Sequence, residues 1–452
     1  MSNPHSNGGS DAHPEGDSNG RMQTTSTTKL PVRTDVLEQR MHVQHETPRL
    51  APSTLAVHAD DHLALSYDVA PALHLSTTFR YPDEPESLKA AADIDVDSEE
   101  RHVYSRITSP NTTRLEAVLS TLVRGRALTY SSGLAALHAA LVFLKPARLS
   151  IGDGYHGSHG VVALHEKLTG LKKLPLDCLP SDLHPGDVIH LETPLNPTGE
   201  ASSIAAYAAK AHARSAYLLV DSTFGPPGLQ NPFAWGADMV LHSGTKYLGG
   251  HSDMLCGVLA VEREEWFRGL WEERCYLGSV MGSLEGWLGV RSLRTLELRV
   301  QRQSENAGAL VKWLDALLQP EATATGTAPE DTSANVADGV VARQVVQRVA
   351  HASLQTKDMD WLQQQMPRGY GPVFAIWMKN ELLARQLPYK LSLFHHATSL
   401  GGVESLIEWR TMSDARCDRT LMRISVGVES WEDLRDDLLG AFSSLARELP
   451  HR

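Results

Sequence analysis

The sequence predicts an α/β fold, with a large domain on a mostly parallel sheet followed by a smaller α+β domain. Three observations carry this. Short apolar runs such as Tyr217-Leu-Leu-Val220 and Met239-Val-Leu241 read as strands buried on both faces. Between such runs lie stretches with apolar residues at helical spacing, so strand and helix alternate. Beyond about residue 345 the pattern turns to short strands and a closing amphipathic helix.

In chain order, residues 1–50 hold no Phe, Trp or Tyr and many small polar residues. Such a segment buries too little apolar surface to offset its chain entropy, so a disordered tail is expected. Ser131–Lys145 carries Leu134, Leu137 and Leu141 on one helical face, with Ser131 and Ser132 available as caps. The run over Tyr217–Val220 ends at Asp221, and Met239–Leu241 leads into His242-Ser-Gly-Thr-Lys246. Leu284–Leu318 reads mainly as one long helix. The Ala-, Thr- and Asp-rich stretch Glu321–Gly339 lacks periodicity and reads as a flexible surface insertion over 320–342. Leu434, Leu438, Phe442 and Leu445 mark the last helix. The expected divisions are a large domain over 111–300 and a small one over 301–452.

The composition narrows the function. The chain has 452 residues, 42% hydrophobic and 21% charged, with a formal net charge of -12. That balance argues against a general nucleic-acid binder, which needs a basic face. It also lends no support to binding an anionic membrane. Cys178, Cys256, Cys275 and Cys417 show no C-x-x-C spacing, which suggests reduced thiols. The first twenty residues contain no apolar signal core. No run reaches the roughly 18 apolar residues of a membrane span. A soluble, cytoplasmic protein is expected.

Ligands of open parallel sheets sit beyond the carboxyl ends of the strands, and three features fall there. At Ser131-Ser-Gly-Leu-Ala-Ala136 a small turn opens into a helix, whose free N–H groups favour a phosphate. Asp221 ends a strand where a carboxylate can hold a pyridinium N–H. Lys246 lies between a strand and a Gly-rich loop, where partial desolvation suits a Schiff-base lysine. Ser243 and Thr245 beside it offer hydroxyls to a phosphate. Each feature alone has a plainer reading, as a capped helix, a turn aspartate or a surface lysine. Together they supply different parts of one cofactor site.

The chain resembles the Cys/Met-metabolism (trans-sulfuration) family of fold-type-I pyridoxal-phosphate (PLP) enzymes. The resemblance rests on STLAVHADD, VYSRITSPNTTRLE, YSSGLAALHAAL, LETPLNPTG, LLVDSTF, HSGTKYLGGHSD, HHATSLGGVESL and LMRISVGVE, in that order from about Ser53 to Arg447. It is similar to cystathionine γ-synthases and cystathionine lyases, in a fungal branch. The family's large domain has a seven-stranded sheet, and its reaction is elimination or replacement at Cβ or Cγ of a sulfur amino acid. The cofactor implied is pyridoxal 5'-phosphate.

The resemblance also implies roles. Lys246 would attach the cofactor and act as the catalytic base. Asp221 would pair the pyridine nitrogen, and Asn196 would bond the phenolic oxygen. Ser132, Gly133, Leu134, Ser243 and Thr245 would cradle the phosphate. Tyr155 would stack on the ring and assist proton transfer. Arg423, with Ser399, would hold the substrate α-carboxylate; strand alternation puts Arg423 and Ser425 on one face. Tyr104 and Arg106 would reach the phosphate of a neighbouring subunit, within an arm over 51–110. A homotetramer, a dimer of dimers with shared sites, is the expected assembly.

Thr398, Ile107 and the segment Ile407-Glu-Trp-Arg410 depart from the cystathionine enzymes. A smaller or less charged distal group, as in a methionine γ-lyase-like enzyme, is the alternative. A non-catalytic scaffold is another, and a visible cofactor absorbance with turnover separates it. Ser243-Gly-Thr-Lys246 also matches the S-x-x-K of serine acyl-enzymes, but the partner motifs are missing from the sequence. His156-Gly-Ser-His159 lacks further ligands at metal-site spacing, so no metal is expected.

Overall fold

The computed structural model describes residues 50–64, 66–90, 102–319 and 332–449. Its first sheet comprises β1 (Arg126–Tyr130), β2 (Arg148–Ile151), β3 (Lys172–Pro175), β4 (Val188–Glu192), β5 (Tyr217–Asp221), β6 (Met239–Ser243) and β7 (Gly257–Val261). The spatial order is β1-β7-β6-β5-β4-β2-β3. Only β7 runs antiparallel to its neighbours. The strands are apolar on both faces because each face has its own core. Ile189, Leu191, Leu218 and Val220 join one core. Val188, Leu219, Leu241 and Leu259 join the other. The helix Gly133–Leu144 packs into the second, through Ala136, Leu137, Ala140 and Leu141.

The second sheet holds β8 (Val346–Ala350), β9 (Val373–Met378), β10 (His395–His396), β11 (Leu406–Trp409) and β12 (Leu421–Ser425). Its order is β10-β11-β12-β9-β8. The closing helix Trp431–Glu448 covers it with Leu434, Leu438, Phe442 and Leu445, all fully buried. Burial of each such side chain contributes roughly 1.5–3 kcal/mol.

Two expectations need correction. Leu284–Leu318 is two helices, Ser283–Leu293 and Leu296–Leu318. At the break Arg294 turns back, donating to the carbonyls of Ala56 and Val57 and to buried Asp60. Arg114 bonds the same Asp60 oxygen at 2.8 Å, so this carboxylate anchors the chain after the helix Pro52–His58. The insertion is also shorter than expected, because Thr332–Val345 is a helix with Ala342 and Val345 fully buried. Its composition hides those contacts, which are made to residues distant in sequence. Residues 320–331 of the insertion lie outside the described residues, as does the 1–50 tail apart from Leu50.

The helix Leu296–Leu318 serves both sheets. Leu296 and Val300 pack into a core of the first. Ala307, Leu310, Val311 and Leu314 pack into the core of the second.

Candidate active site

The carboxyl ends of β4, β5 and β6 meet at one place. Asp221 closes β5 and is the register partner of Glu192, which closes β4. Thr223 donates to Asp221 Oδ1 twice, from its amide at 3.0 Å and its hydroxyl at 2.6 Å. The same hydroxyl accepts the N–H of Ser243 at 2.8 Å, tying the end of β5 to the end of β6. Both bonds fall on Oδ1, so Oδ2 has no donor among the described residues. Burial pushes the Asp221 carboxyl up, against the hold of Thr223.

Glu192 was not singled out in the sequence. Its Oε2 accepts the Tyr155 N–H at 2.9 Å and its Oε1 the Asn196 N–H at 2.8 Å. One carboxylate therefore splints the two loops that carry Tyr155 and Asn196. Gly154, at φ +136°, permits this, since a Cβ there would stand 2.5 Å from Glu192 Oε2. Burial, and next the nearby Asp221 charge, push the Glu192 carboxyl up. The available signal was its place at the end of an apolar strand, two residues before Pro194 in LETPLNPTG.

Lys246 follows β6, and its Nζ donates to Ser399 Oγ at 2.6 Å. Burial brings the Lys246 amine down to about 8, with the Arg423 charge adding and Glu408 opposing. The Ser399 loop sits directly on the lysine backbone. A Cβ at Gly401, φ +87°, would come within 2.8 Å of the Lys246 carbonyl carbon.

Arg423 and Ser425 do share a face. Ser425 Oγ accepts the Gly401 N–H at 3.3 Å. Arg423 is buried, donating to the Ser399 carbonyl at 2.7 Å and to Asn196 Oδ1 at 3.2 Å. It also pairs at 2.6 Å with Glu408, which lies in the unusual segment Ile407-Glu-Trp-Arg410 but was given no role from the sequence. Burial lowers the Arg423 guanidinium to about 10, with Glu408 opposing.

Ser132 caps the helix Gly133–Leu144, its Oγ accepting the Ala135 N–H at 3.1 Å. The first-turn N–H groups of Gly133 and Leu134 have no intrahelical acceptor. A Cβ on Gly133 would stand 3.0 Å from Ser243 Cβ, so the helix start lies against the end of β6. Gly257 makes room behind it, since a Cβ there would meet the Ser132 carbonyl oxygen at 2.0 Å. Thr245 differs from the expectation of a free hydroxyl. It accepts the Cys256 N–H at 3.0 Å and donates to the Cys256 carbonyl at 3.3 Å.

Tyr155 is partly exposed and packs over Gly157, where a Cβ would stand 2.5 Å from the ring. Among the described residues, neither Tyr104 nor Arg106 is bonded to Lys246. Both are exposed; Arg106 lies 5.5 Å over the Tyr104 ring and donates to the Cys275 carbonyl at 2.8 Å. Ile107, next to them, is partly buried, and Thr398 is exposed beside Ser399.

The donor set fits PLP. It provides a desolvated amine for the aldehyde, the Asp221 oxygen that Thr223 leaves without a donor for the ring nitrogen, and free amides with the Ser243 hydroxyl for the phosphate.

Comparison with known proteins agrees. The family model for Cys/Met metabolism PLP-dependent enzymes matches residues 53–325 and 327–443. The chain is 35% identical over 360 residues to a cystathionine gamma-synthase of Mycobacterium tuberculosis, covering 74% of this chain and 84% of that protein. It is 31% identical over 359 residues to a cystathionine beta-lyase of Lactococcus lactis, covering 74% and 87%. Among solved structures, cystathionine gamma synthase from Xanthomonas oryzae, in complex with aminoacrylate and cysteine, matches with a TM-score of 0.74 at 27% identity, covering 89% of this chain and 100% of that one. With its two sheets, its strand-end lysine and aspartate, and a family match over most of its length, the chain belongs to the Cys/Met metabolism PLP-dependent enzymes.

Proposed function

We propose that the site performs trans-sulfuration chemistry with Lys246 as its proton carrier and Arg423 as its carboxylate anchor. The carrying observation is the Lys246 amine, lowered to about 8 and aimed at Ser399 Oγ at 2.6 Å. The bound cofactor supplies an electron sink for negative charge at the substrate Cα. Around it the chain's own residues bind, orient and move protons. Gly133, Leu134 and Ser243 hold the phosphate, and Asp221 keeps a proton on the ring nitrogen. Asn196 spends its Oδ1 on Arg423, which leaves its amide N–H groups for the phenolic oxygen.

Arg423 grips the α-carboxylate, and Ser399 positions the Lys246 amine. That amine takes the Cα proton. For loss at Cγ the amine would first hand the Cα proton on to the cofactor and, neutral again, take a proton from Cβ, and Tyr155 assists proton transfer to the leaving sulfur. Tyr104 and Arg106, exposed on an arm that also presents Tyr67, Val69 and Tyr81, reach the phosphate of a neighbouring subunit in a homotetramer. The protein works in the cytoplasm.

The substrate carries a small or weakly charged distal group, a reading supported by Thr398 and Ile107. Product analysis on cystathionine, cysteine, methionine, homocysteine, and O-acyl-homoserine with cysteine tests it. Pyruvate, 2-oxobutyrate or new cystathionine identifies the branch. Strict dependence on a charged distal group in cystathionine overturns the substrate reading.

A further inference from the structure

Three buried charges form one cluster, and two of them, Arg423 and Glu408, act on Lys246. Glu408 and Arg423 are register partners on β11 and β12. Glu408 Oε2 receives Arg423 Nη2 at 2.6 Å and Arg410 Nη1 at 2.7 Å. All three residues are at most 4% exposed. The cluster holds two cations and one anion. One arginine already neutralises Glu408, and an extra buried charge is costly. Glu408 alone therefore does not account for Arg410. Its Nε is buried without a hydrogen-bond partner among the described residues, and its charge is felt at Glu192 in the site. Glu408 is the one carboxylate paired with Arg423 among the described residues.

We propose that Arg410 is a positioning residue that retains Glu408 when the substrate α-carboxylate displaces Glu408 from Arg423. In the free site Glu408 stands in for the substrate carboxylate. Burial alone would push the Glu408 carboxyl up. Arg423 and Arg410 hold it below the usual range, so it competes as a full anion. An arriving carboxylate brings the cluster to two cations and two anions, each anion with its own arginine. Without Arg410 the incoming carboxylate and Glu408 would share one guanidinium and repel. Arg410 opens the turn just after β11, two residues from Glu408, so it keeps its partner while Arg423 changes its own.

The inference rests on Arg423 as the carboxylate anchor, and the experiment separates the two. Glycine, which has no group to eliminate, is titrated into the holoenzyme by calorimetry. KM and kcat are measured in parallel on the best thioether substrate of the panel. Arg410→Met is expected to weaken glycine about tenfold and to raise KM more than it lowers kcat. Arg410→Lys recovers part of the loss. Glu408→Gln binds glycine more tightly than the wild type. The double variant Arg410→Met/Glu408→Gln returns to near wild-type affinity, which a merely structural role for Arg410 does not produce. Wild-type glycine affinity in Arg410→Met, or a double variant as weak as the single, overturns the exchange. Should Arg410→Met not fold, unchanged affinity in both Arg410→Lys and Glu408→Gln overturns it equally. Arg423→Leu loses glycine binding. If it does not, the anchor reading itself fails, whatever Arg410 shows.

Discussion

Lys246 Nζ and Ser399 Oγ, 153 positions apart in the chain, meet at 2.6 Å. The lysine stands at the end of the first sheet and the serine on a loop held by the second, through Ser425 and Arg423. Removing the hydroxyl leaves the amine without its acceptor. Ser399→Ala should lower kcat/KM by about tenfold, about 1.4 kcal/mol of transition-state stabilisation. Steady-state kinetics check it, and a change below twofold argues against a positioning role.

The lowered Lys246 pKa has a direct pH signature. An amine reacts with an aldehyde in its neutral form. The rate at which apoprotein takes up PLP should therefore climb with pH and level off above about 8. A surface lysine would continue to gain towards about 10.4. Stopped-flow absorbance distinguishes the two.

Asp221→Asn should stabilise the apoprotein while disabling the enzyme. The amide oxygen can still accept both Thr223 bonds, and the buried charge is gone. An acid whose folded pKa is raised destabilises the fold above its unfolded pKa, and this penalty vanishes as pH falls below it. The gain in melting temperature should thus appear at pH 7–8 and disappear near pH 3. Holoenzyme activity should fall at least about a hundredfold, since the proposed partner of the ring nitrogen is then lost. Equal melting of the two apoproteins at pH 8 would falsify the buried-charge account.

Glu192→Ala releases the Tyr155 and Asn196 loops together. Small displacements of positioning groups cost up to about a hundredfold in rate. We expect kcat/KM to fall by about 10- to 100-fold while the protein remains folded. Activity within threefold of the wild type would mean the loops hold their places without Glu192.

Phe442→Ala removes a fully buried ring from the second core. A loss of about 3–5 kcal/mol is expected from urea unfolding. A loss under about 1 kcal/mol would show that the closing helix is not packed as described.

What the sequence made legible was local. Gly133 at a helix start, Asp221 after an apolar run and Lys246 before a glycine pair each show their setting within a few residues. Glu192 and Glu408 did not. Each acts through register with another strand, Glu192 against Asp221 and Glu408 against Arg423. That pairing exists only once the sheets form. The same limit explains the long helix. Its periodicity runs through Arg294, but Arg294 is drawn to carbonyls more than two hundred residues away. The helix at Thr332–Val345 is hidden likewise, because Ala342 and Val345 look unremarkable until packed in the second core.

The helix Leu296–Leu318 belongs to both cores, and this binds their fates. Neither sheet can shed its cover without stripping residues from the other's. The two halves should therefore melt as one cooperative unit, with a single calorimetric peak. In such a molecule a cofactor gripped at the first sheet also protects the second, so loading the enzyme guards Arg423, the proposed carboxylate anchor.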